Sequence, residues 1–366
     1  MSKYCTTEEA AKYLGVSPAR VRQYIQEERL PSEKSGRDHL INYLALYDFA
    51  NNGRRRAGRP SKDDCLLTSA SCDERIVVSP AEMKGKGLDT GLQIINGDTR
   101  EVIRTLPDNT FRCVVTSPPY WGVRDYGVEH QIGAEPDLND YIHSLVDIFS
   151  EVRRVLTHDG TFWLNIGNTY TSGGRKWRQA DAKNKGRAMS YRPPTPEGLK
   201  KKDLIGIAWM VAMACQQEGW YLRNDIIWYK PNCQPESVKD RLTVAHEYLF
   251  MFSKSERYFF NQEAIKESYK NGNGLKNKRS VWSINTEPCP EAHFAVFPKN
   301  LVRPCILAGT EEGDMVLDPF YGAGTVGIVA QELNRRCTGI EINEDYVGIS
   351  YKRTSKVQGA LMFQES

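Results

Sequence analysis

The chain has 366 residues, of which 40% are hydrophobic and 26% are charged, and its formal net charge is +3. This length is too great for one small domain and is sufficient for one α/β domain with an accessory module. No apolar run approaches the roughly 18–20 residues of a membrane span and the N-terminus lacks an apolar signal core, so we expect a cytoplasmic protein without membrane contact.

The nine cysteines are scattered singly along the chain, without a Cys-x-x-Cys pair. This spacing predicts reduced thiols and no metal site.

A helix-turn-helix pattern lies near the N-terminus. Thr6 and two acidic residues start a helix, Gly15 and Val16 make the turn, and Ser17 caps a second helix over residues 18–28. With a predicted hairpin or wing over residues 36–41, the pattern resembles the winged helix of excisionase and MerR-type proteins. We therefore assign residues 1–52 to a small DNA-binding module, and a helical module that binds protein or dimerises is the alternative. Its predicted DNA contacts are Arg20, Arg22, Gln23 and Arg37.

Residues 53–87 are rich in Gly, Arg, Lys, Ser and Asp, which predicts a basic flexible linker. Its start, Arg-Arg-Arg-Ala-Gly-Arg-Pro at residues 54–60, fits a minor-groove hook or a solvated tether equally well.

Strand and helix patterns alternate from about residue 88 onward. This alternation predicts an open, twisted α/β sheet covered on both faces, with ligands at the carboxyl ends of its strands. The predicted strands are residues 92–96, 111–116, 161–166, 226–229 and 248–252, and the predicted helices are residues 100–106, 138–156, 204–217 and 301–308.

The strand at residues 111–116 ends in Ser117-Pro118-Pro119-Tyr120. An exocyclic nucleobase amine is a poor nucleophile because its lone pair is delocalised, so an enzyme that methylates it must place acceptors on its protons. The Ser117 hydroxyl and the Pro118 carbonyl can be those acceptors, since a proline pair holds the carbonyl in one direction. Tyr120 offers a face for a base taken out of the duplex. Proline pairs also end strands in loops that have no chemistry.

Two insertions combine cations with aromatic residues, at residues 169–202 and 259–290. Such a mixture suits phosphate contact and base stacking, so we predict that both contact DNA. A solvated charged loop is the alternative for the first. The DNA contacts assigned to them are Arg175, Lys176, Arg178, Arg192, Lys278 and Arg279.

A strand, a glycine turn and a helix follow at residues 314–333. Gly322 and Gly324 let the backbone pass close under a ligand, and the helix directs free N–H groups toward it. Glu341 ends the next strand about twenty residues beyond the turn, where a carboxylate can hold ribose hydroxyls. The pattern also fits NAD, but Asp318 would repel a pyrophosphate and can pair with the amino group of a methionine moiety. The turn therefore favours S-adenosylmethionine.

With both motifs, residues 88–358 resemble the β-class DNA amino-methyltransferases, a Rossmann-like family in which the catalytic motif precedes the glycine loop. That order is a circular permutation of the usual one. Residues 94–98, 160–165 and 293–298 extend the resemblance. The resemblance and the turn chemistry together imply cofactor contacts at Asp98, Thr116, Phe297, Pro298, Asp318, Pro319, Phe320, Gly322, Gly324, Thr325, Glu341 and Asn343.

The resemblance implies transfer of the S-adenosylmethionine methyl group to an exocyclic amine of a flipped base in double-stranded DNA, without a metal. Ser117 is typical of the cytosine-N4 group, whereas Asp or Asn at that position is more typical of adenine enzymes. Cytosine C5 methylation fits poorly, because neither Pro288-Cys289 nor Pro304-Cys305 follows an apolar strand.

Two alternatives stay open: N6-adenine methylation, and a DNA-binding transcription regulator with a methyltransferase body. The resemblance also leaves open a homodimer and a cognate restriction endonuclease as partners, and either a prokaryotic or a phage origin.

Overall fold

The computed structural model describes residues 4–14, 16–27, 29–35, 38–42, 46, 49, 77–78, 91–128, 131–172, 177, 189, 191–269, 274–287 and 296–362. The chain divides into two compact units, Met1–Asp73 and Glu74–Ser366. Most of the predicted linker at residues 53–87 lies outside the described residues. No helix among the described residues is long and apolar enough to cross a membrane.

In the described part of the first unit, α1 (Thr7–Leu14) and α2 (Pro18–Gln26) are helices. Its strands β1 (Tyr4–Cys5), β2 (Glu33–Ser35) and β3 (Asp38–Asn42) form an antiparallel sheet in the order β1-β3-β2. Glu9 N donates to Thr6 Oγ1 and Thr6 N donates to Glu9 Oε2, a reciprocal cap that starts α1. Ser17 Oγ accepts from Arg20 N and starts α2. β2 and β3 form the hairpin predicted as the wing.

The second unit contains a nine-stranded sheet. Its strands are β4 (Val77–Val78), β5 (Leu92–Asn96), β6 (Phe111–Thr116), β7 (Leu156–Ile166), β8 (Tyr221–Tyr229), β9 (His246–Ser253), β12 (Val281–Ser283), β13 (Met315–Asp318) and β14 (Arg336–Glu341). Their order in the sheet is β12-β8-β9-β7-β6-β13-β14-β5-β4. β4 and β9 run antiparallel to their neighbours, and the other pairings are parallel.

Helices cover both faces of this sheet, as the alternating pattern predicts. Apolar side chains of α3 (Thr99–Thr105), α4 (Leu138–Val155) and α5 (Ile207–Gln217) join one buried cluster. Those of α6 (Lys299–Gly309), α7 (Thr325–Glu332) and α8 (Glu344–Met362) join the other.

The central strands contribute side chains to both clusters in alternation. On β6, Val114 belongs to the first cluster and Val115 to the second, and on β7 Phe162 and Trp163 divide in the same way. Because these strands are buried on both faces, their sequences are nearly continuous apolar runs, and this is the pattern that predicts them.

The chain order and the sheet order differ at the functional edge. β6 and β13 are far apart in sequence, yet they pair in parallel, and β13 pairs with β14 on its other side. The carboxyl ends of these three strands, which precede Ser117, Pro319 and Ile342, therefore meet at one edge of the sheet.

The segment predicted as the second insertion contributes to the sheet itself. Val281–Ser283 forms edge strand β12 beside β8, and Trp282 is buried. Glu267–Ser268 (β10) and Leu275–Lys276 (β11) form a separate small hairpin. Lys278 and Arg279 lie in the short irregular stretch between β11 and β12.

Candidate active site

A cleft of about 1160 Å³ opens at the carboxyl edge of the sheet. It brings together the two predicted motifs, which are about two hundred residues apart in the chain. The predicted residues that line it are Asp98, Ser117, Pro118, Pro119, Tyr120, Phe297, Pro319, Phe320, Gly322, Thr325, Glu341 and Asn343. Thr116 and Asp318 are buried at the ends of β6 and β13.

Asp318 has one carboxylate oxygen satisfied and one unsatisfied. Its Oδ1 accepts from Thr116 Oγ1 at 2.6 Å and from Phe320 N at 3.0 Å. Its Oδ2 is buried and has no hydrogen-bond partner among the residues that the structure describes. Burial raises the pKa of Asp318 to about 7. A buried carboxylate oxygen without a partner fits a ligand ammonium group, such as that of a methionine moiety.

Glu341 closes the glycine turn from the neighbouring strand. Its Oε2 accepts from Gly322 N at 2.7 Å, and its Oε1 accepts from Asn343 N at 2.8 Å. Burial raises the pKa of Glu341, while these N–H groups act in the opposite direction. Each carboxylate oxygen can accept a second hydrogen bond, so the residue fits ribose hydroxyls.

The glycine turn is shaped by a buried aromatic ring. Gly322 and Gly324 have φ values of +50° and +80°, which L side chains rarely adopt. Tyr321 directly precedes Gly322 in the chain, and its side chain is 3% exposed. A Cβ on Gly339 would come within 2.3 Å of this ring, and one on Gly327 within 1.9 Å of its hydroxyl. Tyr321 was missed as a structural residue, although two glycines in the flanking elements are a signal for it.

Three residues of the cleft wall fix the ends of helices, two as caps and one by a long-range hydrogen bond. Asp98 caps α3 through Arg100 N at 2.8 Å and forms an ion pair with the Arg100 guanidinium. Thr99 Oγ1 donates to Pro319 O, which ties α3 to the glycine turn. Asn343 Oδ1 accepts from Asp345 N at 2.9 Å at the start of α8. The cofactor contact expected of Asp98 stays a prediction.

The catalytic loop is held by two tyrosines. Tyr141 Oη donates to Pro119 O at 2.8 Å, and Tyr120 Oη donates to Glu247 Oε2 at 2.9 Å. Burial raises the pKa of Tyr120 well above its ordinary value, so Tyr120 keeps its proton. A Cβ on Gly167 would come within 2.9 Å of the Tyr120 ring, so the ring packs closely on backbone.

Glu247 connects the catalytic loop to β7 and β8, and the sequence interpretation missed it. Its carboxylate accepts from Asn165 Nδ2 at 3.2 Å and forms an ion pair with Lys230. Lys230 Nζ in turn lies 4.1 Å from the Trp228 ring centroid. A charged residue near the start of an otherwise apolar strand was the available signal.

The predicted DNA contacts are distributed over both units. On α2, Arg20 Nη1 donates to Gln23 Oε1 at 2.7 Å, and Arg22 lies 3.9 Å from Glu8. In the larger unit Arg192 is half-buried, Arg279 is exposed, and Lys278 lies 4.8 Å from the Trp282 ring. Arg37, Arg175, Lys176 and Arg178 lie outside the described residues. DNA contact by all these side chains stays a prediction.

Comparison with known proteins places the sequence among DNA methylases. Residues 111–352 match the N6/N4 DNA methylase family, and residues 4–54 match a helix-turn-helix domain. The type II methyltransferase M.SmaI of Serratia marcescens is 61% identical over 71% of this chain and 90% of its own length. M.Cfr9I of Citrobacter freundii is 57% identical over 72% of this chain and 87% of its own.

Solved structures support the same fold. PvuII DNA methyltransferase (cytosine-N4-specific) has a TM-score of 0.55 at 21% identity, over 73% of this chain and 90% of that one. A putative DNA modification methylase from Thermus thermophilus, solved with S-adenosyl-L-methionine, has a TM-score of 0.51 at 24% identity, over 73% and 93%. With a family match over residues 111–352 and the identity to M.SmaI, the chain belongs to the N6/N4 family of DNA amino-methyltransferases and carries an N-terminal helix-turn-helix domain.

Proposed function

We propose that this DNA methyltransferase transfers a methyl group to the N4 amine of cytosine at a specific site in duplex DNA, after the base has turned out of the helix. The observation that carries the proposal is the position of Ser117 and Pro118 after β6, in the same cleft as Glu341 and the glycine turn. An amine acceptor site and a cofactor site thus share one cavity.

The cofactor is S-adenosylmethionine, as the glycine turn predicts, and a solved DNA modification methylase of this fold is a complex with it. When bound, it supplies an electrophilic sulfonium methyl group. Asp318 Oδ2 would accept from its ammonium group, and Glu341 would hold the ribose hydroxyls. Gly322 and Gly324 would let its chain pass close to the backbone at the start of α7.

Ser117 and Pro118 orient the nucleophile. The Ser117 hydroxyl and the Pro118 carbonyl accept from the two amine N–H groups, which draws the nitrogen toward tetrahedral geometry and directs its lone pair along the line of attack. Tyr141 supports this arrangement by donating to the next carbonyl, that of Pro119. Positioning of the amine against the methyl donor then supplies most of the rate enhancement.

Tyr120 would stack on the extruded base, and Glu247 fixes its ring. Because the Tyr120 hydroxyl donates a hydrogen bond to a carboxylate that also pairs with Lys230, the ring has little freedom to rotate away. A rigid face reduces the ordering cost of receiving a flipped base.

Cytosine N4 is proposed over adenine N6 because of Ser117, which resembles the cytosine-N4 group of the family. Digestion of the methylated DNA to nucleosides, followed by mass spectrometry, tests this choice. N4-methylcytosine is the expected product. N6-methyladenine in its place would overturn the base assignment and leave the enzyme class standing.

The helix-turn-helix match at residues 4–54 supports an additional DNA-binding role, by which the protein would also act as a regulator. The relatives named as type II methyltransferases support a cognate restriction endonuclease as a functional partner.

A further inference from the structure

The segment that joins β8 to β9 forms part of the cleft and presents a leucine to solvent. The segment leaves the sheet after Tyr229 and returns at His246, at the same carboxyl edge as Ser117. Val238, Arg241 and Val244 line the cleft. Between them Leu242 is 90% exposed, the most exposed of the large hydrophobic side chains in the described residues.

This segment is held in place, so the exposure of Leu242 belongs to a defined conformation. The Arg241 guanidinium lies 3.9 Å from the Tyr170 ring centroid, and its Nη1 donates to Glu236 Oε2 at 2.5 Å. The same Nη1 donates to Leu242 O at 3.0 Å. Lys202 Nζ donates to Asp240 Oδ2 at 2.5 Å and fixes the segment from a second side.

Covering an apolar side chain that is displayed beside a catalytic cleft with an apolar surface is favourable, because it removes apolar area from water. A base that leaves the duplex for the cleft creates such a surface, because its former neighbours in the stack lose their contacts. Apolar wedges of this size insert between bases in proteins that distort DNA.

We propose that Leu242 enters the base stack and occupies the place vacated by the target base. The inference rests on the proposed function, since it requires a base that turns out of duplex DNA. Leu242 then acts as a positioning residue: it raises the population of the extruded base and touches neither the amine nor the methyl donor. The partner surface is the pair of bases that flank the target.

The test compares Leu242→Ala with the unchanged chain in single-turnover methyl transfer from labelled S-adenosylmethionine. The probes are synthetic duplexes that carry the site mapped by methylation sequencing of expressing cells, one normally paired and one with an abasic position opposite the target base. We expect Leu242→Ala to be slower by roughly tenfold on the paired duplex and within about threefold of the unchanged chain on the abasic duplex, where the target base leaves its stack more easily. Leu242→Met should retain most of the rate on both.

Met213→Ala is the matched control, since Met213 is an exposed apolar residue on α5 and is not part of the cleft lining. If Leu242→Ala methylates the paired duplex at the rate of the unchanged chain, Leu242 does not enter the base stack. Equal losses of rate on the paired and abasic duplexes would contradict the proposal as well. Failure of the unchanged chain to methylate any DNA would instead contradict the proposed function, so the two failures are distinguishable.

Discussion

We expect Asp318 to affect stability and cofactor binding in opposite directions. In the folded chain it holds its proton up to about pH 7, whereas an ordinary Asp loses it near 3.8. The raised pKa therefore lowers stability progressively as the pH rises from about 4 to 7, and the loss stays constant above that. The cofactor ammonium requires the ionised form, so affinity should fall as the pH drops below about 7.

We predict that Asp318→Asn loses most cofactor affinity and becomes more stable at about pH 8. An amide oxygen can still accept from Thr116 and Phe320, while the buried charge disappears. The pKa difference corresponds to a stabilisation on the order of 4 kcal/mol, and the unpaired amide N–H of the variant offsets part of it. Calorimetry measures the affinity, and thermal unfolding at about pH 5 and pH 8 measures the stability gap, which should narrow at the lower pH. If the stability difference between Asp318→Asn and the unchanged chain widens at the lower pH, burial does not raise the pKa of Asp318.

Glu247 offers a second test at this scale. Glu247→Gln retains an oxygen that accepts from Tyr120 but loses the ion pair with Lys230, so the Tyr120 ring should become less well fixed. We expect kcat to fall roughly 10–100-fold with cofactor affinity unchanged. Combining it with Tyr120→Phe should cost less than the sum of both single effects, because the residues act through one hydrogen bond. Glu151→Gln, which removes an ion pair with Arg154 on α4, is the control. Additive losses of kcat in the double variant would show that Glu247 does not act through Tyr120.

At the scale of elements, the strand ends control the site, and the sequence predicts them unevenly. β6 is found as predicted at Phe111–Thr116, because a strand buried on both faces has a continuous apolar signal ending at Ser-Pro-Pro. β8 begins at Tyr221, five residues before the predicted start, because its first half is polar and partly exposed. β7 begins at Leu156, where helix α4 ends without an intervening loop.

The residues missed by the sequence interpretation depend on long-range packing. Glu247 meets Tyr120 only because β9 lies beside β7 in the sheet, an order that local patterns do not encode. Tyr321 packs against Gly339 from the next strand, so its role depends on the pairing of β13 with β14. The Ser-Pro-Pro-Tyr run and the glycine turn, in contrast, are local runs that the sequence singles out, and both line the cleft.

The packing of Tyr321 predicts a sharp contrast between two glycine substitutions. Gly339→Ala should destabilise the protein by about 1–3 kcal/mol, since its Cβ would overlap a buried ring that cannot move freely. Gly348→Ala is the control, because a Cβ at that exposed helical position meets nothing within 4 Å. It should be neutral or stabilise the helix by up to about 1 kcal/mol. Denaturant unfolding measures the stability of both variants. Equal stabilities would show that Tyr321 does not pack closely against Gly339.

At the scale of the whole molecule, two compact units predict separable roles. Deleting residues 1–60 should leave cofactor binding and methyl transfer intact and weaken DNA affinity. The salt dependence of the remaining binding should be shallower, because fewer phosphate contacts are made. Binding titrations at several salt concentrations and single-turnover rates measure both properties. A truncated chain that cannot bind S-adenosylmethionine would show that the division between the units is wrong.

Methyl transfer by Ser117→Ala, measured beside cofactor binding by the same variant, tests directly whether the loop after β6 orients the target amine. We predict that label from S-adenosylmethionine enters DNA with the unchanged chain and falls by at least about a hundredfold with Ser117→Ala. Calorimetry should show cofactor affinity within about twofold for both proteins, because Ser117 is proposed to contact the amine and not the methyl donor. Near-normal transfer by Ser117→Ala would show that this loop does not orient the target amine.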